Sequence, residues 1–198
     1  MEHRIAPLIA ERAPWLYDNK PGRDFARRWL NHLLGYDETL VIAKSLRNAS
    51  STEIMRTMAD RLAKSVEVSG LGNIPTHGGA IVVANHPTGI ADGIILNSLI
   101  ATRRSDAYFF ANRDILRVFP QMQSMIAPVE WRKELRSHGK TRETMRYVSD
   151  ATQEGRLGVI FHSERLAKRS GLRLYARPRK ASAAMYARKF ALPVQPVN

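Results

Sequence analysis

The sequence predicts an α/β fold, a mostly parallel sheet flanked by helices and preceded by an N-terminal helical section. Three observations carry that prediction. Short unbroken apolar runs at 80–84, 107–111 and 157–161 read as strands buried on both faces. The stretches between them place apolar residues at helical intervals, and strands alternating with helices are the mark of βαβ units and a parallel sheet. A chain of 198 residues, 44% hydrophobic, suits one domain over 1–198. Within it the helical section occupies 1–65 and the α/β core 66–198.

Taken in order, residues 22–34 put Phe25, Trp29, Leu30, Leu33 and Leu34 on one helical face and leave Arg27, Arg28 and Asn31 off it. Ser50 and Glu53 form a capping-box pair ahead of Ile54, Met58 and Leu62, which recur every four residues as a core-facing stripe. Glycines at 70, 72, 78 and 79 punctuate the entry to the run at 80–84. A helix is expected from Gly93 to Ile100, then the strand at 107–111. Met145, Val148 and Ala151 define a helix over 140–154, with Gly155 as its stop ahead of the strand at 157–161. Residues 181–190 read as helical. Residues 192–197 read as an edge strand, because Pro193 and Pro196 cannot donate to a central ladder.

Composition narrows the chemistry. There is no cysteine, which removes disulfides, thiolate metal sites and cysteine nucleophiles and suits a reducing compartment. The N-terminus has scattered charges and no apolar h-region of a secretory signal, and no run approaches the roughly 20 apolar residues of a membrane span. A cytoplasmic protein, peripheral at the inner face of a membrane, is the expectation. The net charge of +13 is lopsided. Residues 165–198 carry nine Lys or Arg and no acid, against 22 basic and 18 acidic residues before them. Such a surface attracts phosphates of any origin, because the attraction is Coulombic. The six histidines, His3, His32, His77, His86, His138 and His162, show no metal-ligand spacing, so no metal is implied.

The polar stretch Asn85-His86-Pro87-Thr88-Gly89-Ile90-Ala91-Asp92-Gly93 sits where a buried strand gives way to a helix. A histidine there lies at the carboxyl edge of the sheet, where α/β folds build their sites. An aspartate six residues on, beyond a Pro-Thr-Gly turn, is placed to fold back onto the imidazole. A carboxylate on one ring nitrogen fixes the tautomer and raises the basicity of the other, which makes a general base. The same residues also read as a helix N-cap, Asp92, and a hydrogen-bonded loop histidine. No Gly-x-Ser-x-Gly elbow is present, so any hydroxyl to be activated belongs to the substrate.

Asn85-His86-Pro87-Thr88-Gly89 through Asp92-Gly93 resembles the first motif of the lysophospholipid acyltransferase family, the bacterial 1-acyl-glycerol-3-phosphate acyltransferases, in particular their haemolysin-related branch. Five residues separate His86 from Asp92, a spacing associated with that branch. Arg113, after the strand at 107–111, resembles the arginine of the second motif. Phe161-His162-Ser163-Glu164-Arg165 resembles the third, with His162 and Glu164 standing where proline and glycine are usual, and Pro193-Val194-Gln195-Pro196-Val197 resembles the fourth. The resemblance spans roughly 66–198. Because family members normally continue further, it implies a shortened or C-terminally truncated member.

What the resemblance implies is transfer of a fatty acyl group from acyl-CoA or acyl carrier protein to the hydroxyl of a lysophospholipid, without a covalent intermediate and with no cofactor beyond the co-substrate. It implies His86 and Asp92 as catalytic residues. Asn85, Thr88, Gly89, Gly93, Arg113, Ser163 and Arg165 would bind substrate, Arg113 and Arg165 by gripping an acceptor phosphate. Backbone amides over 89–93 are candidates for an oxyanion hole. A lyso-aminolipid acceptor, of the lyso-ornithine-lipid type, is the alternative substrate, and an anionic membrane surface the expected partner. Two readings of another class stay open: a non-catalytic lipid-binding relative, suggested by His162, Glu164 and the early end, and a basic nucleic-acid-binding protein. Only Tyr175, Tyr186 and Phe190 interrupt the basic run, and no nucleic-acid motif frames them.

Overall fold

The apolar runs become the middle of a five-stranded, all-parallel sheet. The computed structural model describes residues 1–18, 22–161, 168–170, 173–175 and 182–198, those at 23, 168–170 and 173–175 through their backbone alone. In chain order the elements are α1 (Glu2–Arg12), α2 (Arg23–Leu33), α3 (Tyr36–Ser45), α4 (Ser51–Leu62), β1 (Ala80–Ala84), α5 (Ile90–Ala101), β2 (Tyr108–Asn112), α6 (Ile115–Val118), β3 (Ile126–Val129), α7 (His138–Gln153), β4 (Leu157–Phe161), β5 (Lys168–Ser170), β6 (Arg173–Tyr175), α8 (Ser182–Phe190) and β7 (Val194–Val197). Short 3-10 turns join several of them. The chain divides into two compact units, residues 1–50 with 114–122, and residues 51–113 with 123–198.

The first unit is helical. Arg12 Nη2 reaches the buried Asp114 carboxylate at 2.6 Å, and Arg117 holds Glu11 through both guanidinium nitrogens at 2.8 and 3.0 Å. These pairs tie α1 to the segment around α6, and Arg4 adds a bond to the Val118 carbonyl at 3.0 Å. Its apolar packing rests on Leu8, Leu16, Leu40, Ala43 and Leu46, all buried. The amphipathic spacing over 22–34 does yield α2, yet Phe25, Trp29, Leu33 and Leu34 are all exposed.

The second unit holds the sheet, in the order β3-β2-β4-β1-β7. β1 is an interior strand and wholly buried, pairing with β4 on one side and β7 on the other. Alternation along the strands gives two apolar faces. One face joins Ile81, Val83, Tyr108, Phe110, Ala127 and Ile160 to Val148 and Ala151 of α7 and to Ala183 and Tyr186 of α8. Gly158 makes this face possible: a Cβ there would stand 2.7 Å from the Tyr108 hydroxyl, inside contact distance. At the opposite, amino edge, Arg104 is buried with its guanidinium on Asp106 at 2.6 Å and on the carbonyls of Pro75, Gly78 and Gly155, which pins three turns together. That contact holds the Asp106 carboxyl below its ordinary pKa.

Three differences from the sequence reading have physical causes. β3 was not expected, because Ile126-Ala127-Pro128-Val129 is short and contains a proline; as an edge strand it tolerates Pro128 without losing a ladder bond. α5 begins at Ile90 rather than Gly93, so Asp92 stands in its first turn and not ahead of it. On α4 the buried residues are Ile54, Met55 and Ala59, while Leu62 is exposed, so the inward face is turned from the expected Ile54-Met58-Leu62 stripe. The expected edge strand at 192–197 is present as β7.

Candidate active site

The parallel sheet brings all five strand ends to one edge, and the strand order decides which of them are neighbours. β1 ends at Ala84, and the chain turns through Asn85 and His86 into α5. Gly89 is the N-cap of α5 with φ of +82°, a conformation that costs a residue with a Cβ. This turn swings the first helical turn back over the strand end. Asp92 then accepts from the backbone N–H of Thr88 at 3.0 Å and of Gly89 at 3.1 Å, and the Thr88 hydroxyl donates to its other oxygen. From the third helical position the carboxylate thus satisfies two backbone N–H groups at the start of α5.

His86 Nδ1 lies 3.1 Å from Asp92 Oδ2, with both side chains largely covered. Nδ1 is buried and its N–H direction does not align with a hydrogen bond, so the contact is close but off-axis. Such geometry is common in a general base before substrate arrives. The other side of the imidazole is covered by Phe161 at the end of β4, ring centroids 4.3 Å apart and planes 25° apart. Burial lowers the His86 pKa from its ordinary 6.5, and this outweighs the opposing pull of the Asp92 charge and contact. The imidazole is therefore neutral at neutral pH, the state a base requires.

Gly93 stands against the edge of the Phe161 ring, where a Cβ would meet the ring carbons at 3.8 Å, an ordinary contact. Asn85 donates to the side chain of Asn198, just past the end of β7, the strand beside β1. Of the amides suggested for an oxyanion hole, that of Gly89 is occupied by Asp92, as is that of Thr88 just before it.

Arg113 follows β2, two strand positions from β1 with β4 between, hence on the order of 10 Å across the sheet. Its guanidinium Nη2 donates to Glu143 Oε2 of α7 at 2.7 Å, so the cation is held by a protein carboxylate. Beside it, at the end of β3, Glu130 is almost wholly buried, its side chain 2% exposed. Arg132 and Lys140 each reach it at 3.0 Å, and Arg136 donates to its backbone carbonyl at 3.0 Å. Burial alone would raise the Glu130 pKa; the donors Arg132 and Lys140 more than reverse this and hold it at about 2.

Thus the structure brings Asn85, His86, Thr88, Gly89, Asp92 and Gly93 together and leaves Arg113 on the same edge but farther off. Ser163 and Arg165, with His162 and Glu164, lie outside the described residues. Sequence reasoning passed over three residues here. Phe161 was visible as the first residue of a motif, but its stacking on His86 depends on β1 and β4 being neighbours. Glu130 and Glu143 gave no signal, since nothing local marks a carboxylate whose partners are supplied by other elements.

A histidine and an aspartate carried on one loop thus meet at the carboxyl edge of a parallel sheet. The chain belongs to the acyltransferase family, whose pattern matches residues 65–198. Within that family it is similar to the lyso-glycine lipid O-acyltransferase of Phocaeicola vulgatus, 26% identical over 105 residues, 53% of this chain and 38% of that one. It is also similar to the lyso-glycine lipid O-acyltransferase of Bacteroides thetaiotaomicron, 23% identical over 125 residues, 63% of this chain and 45% of that one. The matched segment spans less than half the length of either relative. No solved structure matches the chain.

Proposed function

We propose that this protein is a lysolipid O-acyltransferase in which His86 is the general base and Asp92 its orienting partner. The observation that carries the reading is the His86 Nδ1 to Asp92 Oδ2 contact of 3.1 Å at the end of β1, in a chain of the acyltransferase family. With Nδ1 turned to the carboxylate, Nε2 takes the proton from the acceptor hydroxyl. The hydroxyl oxygen attacks the thioester carbonyl of acyl-CoA or acyl carrier protein, forming the ester C–O bond. The C–S bond then breaks, and the departing thiolate recovers the proton from the imidazolium, leaving a free thiol and a neutral histidine. No covalent acyl-enzyme is needed. Arg113, with Ser163 and Arg165, would orient the acceptor head group.

The acceptor favoured is a lyso-aminolipid, since both relatives are named for a lyso-glycine lipid; a lysophospholipid such as 1-acyl-glycerol-3-phosphate is the second reading, favoured by the resemblance of the sequence around Arg113 and Arg165 to the family's arginine motifs. Labelled acyl-CoA and acyl carrier protein, each offered with lyso-glycine lipid and with 1-acyl-glycerol-3-phosphate, test it. Acylated product is expected with the aminolipid first, and His86→Ala should lower transfer at least about 10³-fold with the fold intact. Transfer retained in His86→Ala would remove the base assignment, and absence of product from every acceptor would remove the activity.

A further inference from the structure

We propose that α2 is an interfacial anchor that lies in the surface of an anionic bilayer. Phe25, Trp29 and Leu33 stand four residues apart and so form one stripe along the helix. They are 69, 56 and 62% exposed, and Leu34 at the end of α2 is 74% exposed. The inward side of the same helix is served by Ala26 and Leu30, both partly buried. The exposed stripe is therefore surplus to packing, a result the amphipathic spacing alone did not announce.

Charge chooses the occupant. The helix sequence carries Arg23, Arg27 and Arg28 against a single acid, Asp24. Arg28 and His32 are exposed and border the stripe at three-residue offsets from Phe25 and Trp29. Arg27 bonds Asp24 at 2.8 Å and lies over the ring of Tyr17, itself 38% exposed. Bulky aromatic and aliphatic groups flanked by arginines on a short helix are what an interfacial segment needs: an apolar wedge for the acyl chains and cations at the level of the lipid phosphates.

A second copy of the chain fits less well. The stripe offers roughly 500 Å² of apolar surface. A stable interface takes about 800 Å² per partner. A two-fold pairing through α2 would also set Arg28 against its own counterpart, which repels. The proposal rests on the lipid acceptor of the preceding section only for the reason a bilayer is near; the anchor itself stands on exposure and charge.

The test is co-sedimentation of the whole chain with vesicles of phosphatidylcholine alone and of phosphatidylcholine with phosphatidylglycerol. Binding is expected to the anionic vesicles and to weaken with salt. The double variant Phe25→Ser/Trp29→Ser should lower partitioning at least about tenfold. Arg28→Glu should remove most of the preference for phosphatidylglycerol. Neither should change thermal midpoint or acyl transfer to an acceptor presented in detergent micelles, so a failed anchor and a failed activity are told apart. Three results overturn the anchor: wild-type protein that ignores anionic vesicles, a double variant that binds them as wild type does, or a double variant whose only change is loss of a dimer.

Discussion

The two halves of the sheet's carboxyl edge handle charge in opposite ways. At the β1 and β4 ends, His86 is stacked under Phe161, and desolvation outweighs the carboxylate beside it, so the imidazole is kept neutral. At the β2 and β3 ends, Glu130 is more deeply covered, yet Arg132 and Lys140 outweigh desolvation and keep it charged. Burial therefore does not set protonation by itself. The number and placement of hydrogen-bonding partners decide it: Nδ1 of His86 has one off-axis neighbour, whereas Glu130 has two cations in direct contact.

The sharpest way to break this contrast is Asp92→Asn. It keeps a carbonyl oxygen under the loop but removes the charge that stabilises an imidazolium, and transfer should fall about 10²–10⁴-fold. Since Asp92 raises the His86 pKa against the effect of burial, the acid limb of the residual pH–rate profile should also move to lower pH. A limb that stays in place would separate Asp92 from the titration of His86.

Glu130→Gln attacks the other half. Loss of the charged acceptor should cost about 2–3 kcal/mol at neutral pH, read from thermal or urea unfolding. The sign follows from linkage. A carboxyl depressed to about 2 stabilises the fold above its unfolded value of 4.5, and that contribution disappears as pH falls through about 2. The gap between Glu130→Gln and wild type should therefore close toward pH 2, and a gap independent of pH would place the loss in packing instead.

Phe161→Leu is the mildest of the three. Partial loss of the stacked ring should return water to the imidazole, change the rate several-fold, and move the acid limb upward toward 6.5, opposite in direction to Asp92→Asn. For stability the same histidine works against acid: with a lowered folded pKa it resists protonation in the fold, so stability falls as pH drops below 6.5. Identical profiles for wild type and Phe161→Leu would assign the low pKa to some other cover.

How much was legible in the sequence varies by element. The runs at 80–84 and 157–161 coincide with β1 and β4, because strands buried on both faces need continuous apolar residues. His86 and Asp92 were legible as a pair since a single loop carries both, and the Pro-Thr-Gly turn between them permits the fold-back. The N-cap of α5 is Gly89 rather than Asp92, which stands in the first helical turn and accepts from the Gly89 N–H while lying 3.1 Å from His86 Nδ1. The amphipathic pattern at 22–34 gave a helix but not the direction its apolar face takes, because periodicity reports a face and not its partner.

What the sequence determined by itself was local: which residues are strand, which loop joins a histidine to its carboxylate, and where arginines concentrate. The tertiary structure decided what lies between strands distant in sequence. The order β3-β2-β4-β1-β7 puts Phe161 on His86, sets Arg113 two strands away, and supplies Glu143 and Glu130 to cations that the sequence presents without partners. The physical reason is that local pattern fixes φ/ψ preference and face. Desolvation and ion pairing, by contrast, depend on groups brought within a few ångströms only when the sheet closes.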